Sequence, residues 1–282
     1  MARHRAAPSA RDRRGPPREQ RRAQGAERLV YGIHPVMEAL RAHAGEVERL
    51  VLVEGALPSR QAAEVLALAE ASGVHVERVA RERIVEMADG GVHQGVAAEL
   101  RAYAYSGLEE LLAVARSANQ PPLLVVLDGI QDPHNLGAII RSAYALGAHG
   151  VVLGKDRAAG VTAAVSKASA GAVEHLRVAR VTNLSRALEE LKSSGLWVAA
   201  ADPAGDTPLW GAPLDGPLAL VVGAEGEGVR PGVLGHSDFR VRIPMAPGVA
   251  SLNASVAAAL LLYEAVRQRA KPPVPRGCRS LG

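Results

Sequence analysis

Cysteine is almost missing from this 282-residue chain, and the single one, Cys278, stands in a Pro- and Arg-rich C-terminal stretch. No intrachain disulfide and no multi-cysteine metal site can be built from one thiol, which excludes a disulfide scaffold and suits a reducing compartment. Aromatic residues make up only 3% of the sequence, so an RNA binder built on aromatic stacking platforms is not expected, although Trp197 and Trp210 could each stack a base. Long apolar runs are missing too. The most apolar stretch, Val256 to Val266, is interrupted by Glu264 and falls far short of a membrane span. The N-terminus has many arginines with no apolar segment behind them, unlike a secretory signal, so a soluble cytoplasmic protein is expected.

With 48% hydrophobic residues the chain can nevertheless bury a core. Its formal net charge of +4 hides an uneven distribution. Residues 1–28 hold nine arginines and three acidic groups, residues 269–282 hold four basic groups and no acidic one, and residues 29–268 carry 20 basic against 26 acidic groups. The body is acidic and only the ends are basic.

Residues 1–28 have no aliphatic period and read as a disordered basic arm, either an RNA-binding extension or a solvated tail. From residue 29 to about 104 short strands and helices alternate: strand Leu29–Tyr31, helix His34–Ala42, strand Val47–Val53, helix Arg60–Ser72, and strands Val74–Val79 and Gly95–Leu100. Residues 105–121 read as a connector, a helix from Ser106 capped by Ser106 with Glu109 and closed by Pro121-Pro122. Over 122–269 the pattern becomes strand–helix repeats, with strands at Leu123–Leu127, Gly150–Leu153, Leu176–Val181, Trp197–Ala201, Leu218–Val222 and Phe239–Ile243 and a last helix from about Asn253 to Arg269. These strands are Val-, Leu- and Ala-rich without alternation, as in a sheet covered on both faces. The expected fold class is therefore α/β: a small N-terminal unit, then a doubly wound, mostly parallel sheet, then a basic tail over 270–282. In such sheets ligands bind beyond the carboxyl ends of the strands.

Three loops at those ends stand out. The first, Asp128 to Gly137, runs into a helix through Arg141, with Asp132-Pro133 as N-cap and first-turn proline. If Leu136, Ile139, Ile140 and Ala143 form the buried stripe, Arg141 projects about 150° from its centre, away from the sheet. Taken alone, Arg141 reads as a solvated helix face. The second loop, Gly223-Ala224-Glu225-Gly226-Glu227-Gly228, is neither a Walker loop, for no Gly-Lys-Ser/Thr follows, nor a dinucleotide fingerprint, for Pro231 occupies the third glycine position. Its carboxylates would repel a pyrophosphate. The third, Ile243 to Asn253, contains two prolines and a glycine before a helix that Ser251 or Asn253 would cap. Rigid irregular backbone of this kind suits a neutral, flat ligand such as adenine. Among the histidines, His34, His93 and His134 have no metal-ligand spacing, and hydrogen-bonded structural roles fit them better.

The segments NLGAIIRSA (Asn135 to Ala143), VVGAEGEGV (Val221 to Val229) and IPMAPGVASLNASVAAA (Ile243 to Ala259) together resemble the three motifs of the SpoU class of SPOUT RNA ribose 2′-O-methyltransferases, the TrmH-like family. Lys167 to Ala172 resembles a further segment of that family, and Tyr31 to Leu40 and His93 to Leu100 resemble its small N-terminal RNA-binding domain, which is similar to a ribosomal-protein fold. The resemblance spans residues 29 to about 269 and is nearest to the branch that methylates a guanosine ribose of large-subunit ribosomal RNA. It implies a C-terminal trefoil knot, S-adenosylmethionine as methyl donor, RNA as substrate and a homodimer. It also implies cofactor contacts at Gly223, Ile243 and Leu252, and active-site polar residues at Asn135, Arg141, Glu225, Ser251 and Asn253.

A ribose 2′-hydroxyl is a poor nucleophile whose developing charge needs stabilising. A guanidinium is a donor without acceptor capacity, so Arg141 suits charge stabilisation and phosphate clamping better than proton abstraction. Glu225 suits anchoring Asn135 or Arg141, while Asn135, Ser251 and Asn253 suit orienting the ribose and the loops. The motifs fix the reaction and not the address. Transfer RNA or another ribosomal site remains open, as does a non-catalytic RNA-binding factor that kept the fold.

Overall fold

The structure, a computed structural model, describes residues 28–55 and 60–270. The expected basic arm, Arg28 apart, and the tail beyond Ala270 lie outside these residues. Among the described residues no helix is long and apolar enough to cross a membrane.

The N-terminal unit is built on strands β1 (Arg28–Tyr31), β2 (Val47–Val53), β3 (Val76–Val79) and β4 (Val96–Leu100), in the order β1-β4-β2-β3. β4 runs antiparallel to both its neighbours, and β3 is parallel to β2. Because side chains alternate along a strand, Leu50 and Leu52 of β2 join Val30, Val36 and Val65 under helices α1 (Ile33–His43) and α2 (Arg60–Ala71), whereas Val51 faces the other side. That side is covered by α3 (Arg81–Met87), which the sequence reading does not contain. Only Ile84 of this helix is buried, and a single apolar anchor sets no period.

The second unit is a seven-stranded sheet, parallel throughout: β5 (Leu123–Asp128), β6 (Gly150–Gly154), β7 (Val178–Val181), β8 (Trp197–Ala201), β9 (Thr207–Pro208), β10 (Leu218–Gly223) and β11 (Phe239–Arg242). Their spatial order is β7-β6-β5-β10-β8-β11-β9. Leu123, Val125 and Leu127 point into a core shared with α5 (Pro133–Ala145) and α9 (Ala254–Arg269). Leu124 and Val126 point into an opposite core with α4 (Leu108–Ser117), α7 (Leu184–Ser193) and the single turn α8 (Pro231–Leu234). A short helix α6 (Ala163–Ala168) packs beside α5.

Four details differ from the sequence reading. The cap of α4 is Gly107, whose amide donates to Glu110, while Ser106 instead extends the sheet by a bridge to Ala179. Within residues 105–121, Leu108, Leu111 and Leu112 of α4 are buried in the second core. The expected strand at Leu176 begins only at Val178, because a 3-10 turn occupies Ala172–Glu174. Arg269, counted with the basic end, is turned inward and donates to the carbonyls of Pro121, Pro122 and Gly216.

The strand order positions the chemistry. From β5 the chain steps outward to β6 and β7, then returns to the far side of β5 with β8 and β10, which makes the β5/β10 boundary a switch point of the sheet. Gly223 pairs in register with Asp128, so the loops after β5 and β10 start side by side.

Candidate active site

At this switch point the first loop enters α5 as its sequence dictates. The Asp132 carboxylate accepts from the His134 amide at 2.9 Å, with Pro133 in the first turn. Asn135 follows within that turn, and Leu136, Ile139, Ile140 and Ala143 are buried against the sheet. Arg141 lies on the opposite, exposed face and has no hydrogen-bond or ion-pair partner among the described residues.

The loop after β10 is tied to β5 by a buried carboxylate. Asp128, whose side chain is 0% exposed, accepts from the Arg230 amide and from its Nε, each at 2.8 Å, and pairs with its guanidinium at 2.6 Å. The hydrogen bond to Asp128 raises the guanidinium above its ordinary pKa, against the opposing effect of desolvation. Between β10 and this clamp the backbone doubles back tightly. A side chain at Gly223 would place its Cβ 2.0 Å from the carbonyl carbon of Gly228 and 2.2 Å from the Val229 nitrogen, so only glycine fits.

The third loop ends at Asn253, the N-cap of α9, and Ser251 does not share that task. Asn253 Oδ1 accepts from the amides of Ser255 and Val256, which orients the amide so that Nδ2 points away from the helix. That Nδ2 donates to Asn135 Oδ1 at 2.9 Å and to Glu225 Oε1. Asn135 Nδ2 donates to the same Glu225 oxygen at 3.0 Å, and the Ala254 amide reaches it at 3.4 Å. One residue from each of the three loops thus meets on one carboxylate at the amino end of α9, where negative charge is favoured.

Beside this junction lies a cleft of about 280 Å³ between the second and third loops. Gly223, Ile243, Leu252, Ser251 and Glu225 all line it, with Val222, Val229, Leu234 and Val241 as apolar wall. Its charged lining residues are Asp202, Glu225 and Glu227, and no lysine or arginine is among them. Such a cleft disfavours a phosphate and suits a flat apolar group carrying positive charge. Asn135, Glu225 and Asn253 are thus gathered at one point, and Gly223, Ile243, Ser251 and Leu252 around one cleft. Arg141 is not brought to either; six residues beyond Asn135 it stands about 9 Å further along α5.

Sequence reasoning missed Ala201 at the end of β8 and Asp202 and Pro203 in the loop after it, which close one side of the cleft. An Asp-Pro pair directly after a core strand was the available signal. It also missed the Asp128–Arg230 clamp, whose partners are 102 positions apart. His93 is buried and accepts from the Gly95 amide at 3.0 Å, a structural role; burial, then Arg81 and Lys167, lower its pKa. Among the arginines clustered at 78–83 of the small domain, Arg83 is engaged by Glu86, while Arg78 and Arg81 are exposed and Glu77 is turned to Arg49.

The chain is similar to known proteins over most of its length. Residues 122–263 match the SpoU rRNA methylase family, and residues 29–106 match the RNA 2′-O ribose methyltransferase substrate-binding domain. A TrmH family tRNA/rRNA methyltransferase of Bacillus subtilis, YacO, is 44% identical over 85% of this chain and 95% of its own. The 23S rRNA (guanosine-2′-O-)-methyltransferase RlmB of Pseudomonas putida is 43% identical over 85% of this chain and 96% of its own. The crystal structure of AviRb from Streptomyces viridochromogenes, a SpoU methyltransferase in complex with AdoMet, superposes with a TM-score of 0.74 at 28% identity, covering 90% of this chain and 94% of that one.

Proposed function

The chain belongs to the SpoU rRNA methylase family of S-adenosylmethionine-dependent RNA ribose 2′-O-methyltransferases, with the family's substrate-binding domain ahead of the methylase domain, and from that premise we propose that it methylates a guanosine ribose of large-subunit ribosomal RNA. The junction of Asn135, Glu225 and Asn253 beside an acidic, apolar-walled cleft carries the reading. The RlmB identity extends through both domains and supports the guanosine address.

The cleft's donor set fits the cofactor. Gly223, Ile243 and Leu252 would hold it through backbone, the apolar wall would take its adenine, and the surrounding carboxylates suit a sulfonium better than any phosphate. When bound, S-adenosylmethionine supplies an electrophilic methyl group. Glu225 does not serve as the base in this reading, because its Oε1 already collects donors from Asn135, Asn253 and Ala254. It holds the three loops in one geometry, and positioning of this kind supplies much of the acceleration in a displacement. Asn135 and Ser251 orient the ribose. Arg141, free of partners, offers its charge to the developing 2′-oxyanion and to a neighbouring phosphate.

The second and third loops, which line one cleft, form the trefoil knot in this reading. A second copy completes the site. Val256, Leu260 and Tyr263 are exposed at i, i+4 and i+7 on α9, and Tyr144 is exposed near Arg141 on the adjacent α5. Sedimentation at micromolar concentration should give the dimer mass, and a monomer there would remove this part of the reading. The address is tested by reverse transcription at low nucleotide concentration on ribosomal and transfer RNA from a deletion strain. Loss of a stop at one ribosomal guanosine is expected. A stop lost from transfer RNA instead, the other substrate class in the name of YacO, would reassign it.

A further inference from the structure

The two domains meet across a seam that contains the most deeply buried ion pair of the described residues. Arg28, on edge strand β1 of the substrate-binding domain, reaches Glu174 of the methylase domain with two parallel bonds of 2.9 and 2.7 Å; their side chains are 4% and 0% exposed. The same carboxylate accepts from Ser166 Oγ of α6 at 3.1 Å, and the Glu174 carbonyl accepts from His43 Nε2 of α1 at 2.6 Å. Tyr103, in the segment joining the domains, lies over the Arg28 guanidinium at 5.2 Å. Two half-exposed contacts flank this hub: His175 donates to Glu38 at 2.7 Å, and Lys167 donates to the Val92 carbonyl at 2.8 Å.

Such a set costs a great deal of desolvation. Breaking a buried pair is strongly unfavourable, while an apolar replacement of both partners is often neutral or better, so burial of charge here calls for a reason other than stability. Arg28 Nε is itself buried without a partner, which raises that cost. The seam is also joined to the catalytic helix. Gly137 of α5 packs so closely on α6 that a Cβ would sit 2.4 Å from the Ala168 Cβ, and His175 stacks on Tyr144 of α5 at 5.4 Å. Any rotation of the substrate-binding domain about the seam would therefore have to break a bidentate, directional pair fixed against the element that carries Asn135 and Arg141.

We propose that Arg28 and Glu174 are positioning residues: they lock the substrate-binding domain in one orientation toward α5, and that orientation decides which ribose reaches the methyl donor. This rests on the reading above that the N-terminal domain holds the RNA. The test uses the full chain with Arg28→Met and Glu174→Gln together, which removes both charges while Ser166 keeps an acceptor. Three results are expected: S-adenosylmethionine affinity by calorimetry within twofold of wild type, a larger radius of gyration by solution X-ray scattering, and kcat/KM on ribosomal RNA at least tenfold lower with 2′-O-methylation at additional riboses. A merely structural pair would lower thermal stability and leave the modified position single. Because loss of cofactor binding would signal misfolding of that variant, Lys167→Met with His175→Ala, at the rim of the same seam, is measured alongside and should move scattering and site selection the same way by less. Wild-type scattering in the folded variants overturns the proposal. Were the wild type itself inactive on RNA, the functional reading would fail while scattering still decided the lock.

Discussion

At the scale of single residues, the candidate site separates binding from transfer. Arg141 is not among the residues that line the cleft, whereas Gly223 is part of its wall. Arg141→Ala should therefore bind S-adenosylmethionine as wild type does and lose methyl transfer by about 10²–10³-fold, the usual effect of removing one charge-stabilising donor. Single-turnover transfer and calorimetry measure the two halves, and normal turnover would sink the role given to Arg141. Gly223→Ala should do the opposite. A methyl group 2.0–2.2 Å from the Gly228–Val229 backbone must displace the loop, so cofactor affinity should fall by an order of magnitude or more before any chemistry is reached. Unchanged affinity in that variant would mean that the cofactor binds elsewhere.

At the scale of elements, one residue serves two purposes that can be pulled apart. Asn253 caps α9 through Oδ1 and joins the junction of loops through Nδ2. Asn253→Ala should cost about 1 kcal/mol of stability for the cap and also disable the junction. Asn253→Ser keeps a capping oxygen but has no amide to offer Glu225, so its melting temperature should stay near wild type while turnover falls. If serine restores turnover as well, the junction does nothing beyond capping. The same elements explain what sequence could and could not reveal. β5, β8, β10 and α9 were legible within a residue or two because the three strands are apolar runs, α9 is an apolar run interrupted by Glu264, and Asp132-Pro133, Gly223 and Asn253 mark where elements end or begin. α3 was not, having one buried anchor, and β9 was not, being two residues long. Asn135, Glu225 and Asn253 were singled out by motif resemblance, while their meeting could not be read from spacing, since the partners of Glu225 are 90 and 28 positions away. Ion pairs between distant segments, Asp128–Arg230 and Arg28–Glu174, leave no periodic trace at all.

At the scale of the whole molecule, charge works against the approach of RNA. Residues 29–268 hold 20 basic and 26 acidic groups, and the structure withdraws several of those basic groups from use. Arg49 is held by Glu77 and Glu99, Arg83 by Glu86 and Arg230 by Asp128, while Arg269, just beyond that span, is spent on backbone carbonyls. Arg78, Arg81 and Arg141 stay exposed with no ion-pair partner among the described residues, on a body that is net negative. Residues 1–27 contribute eight arginines against three acidic groups, and they are attached at Arg28, the residue that pins the two domains together. We propose that this arm supplies sequence-independent affinity while the folded domains supply the address. Each phosphate neutralised contributes about 0.7–0.9 to the slope of log affinity against log salt, so four arginines in contact would contribute roughly three. Deleting residues 1–27 should flatten the measured slope by about that amount and weaken binding most at low salt, with the modified nucleotide unchanged. An unchanged slope would reduce the arm to a solvated tail and leave the folded surface to bind RNA by shape. A changed methylation site would instead mean that the arm takes part in choosing the ribose.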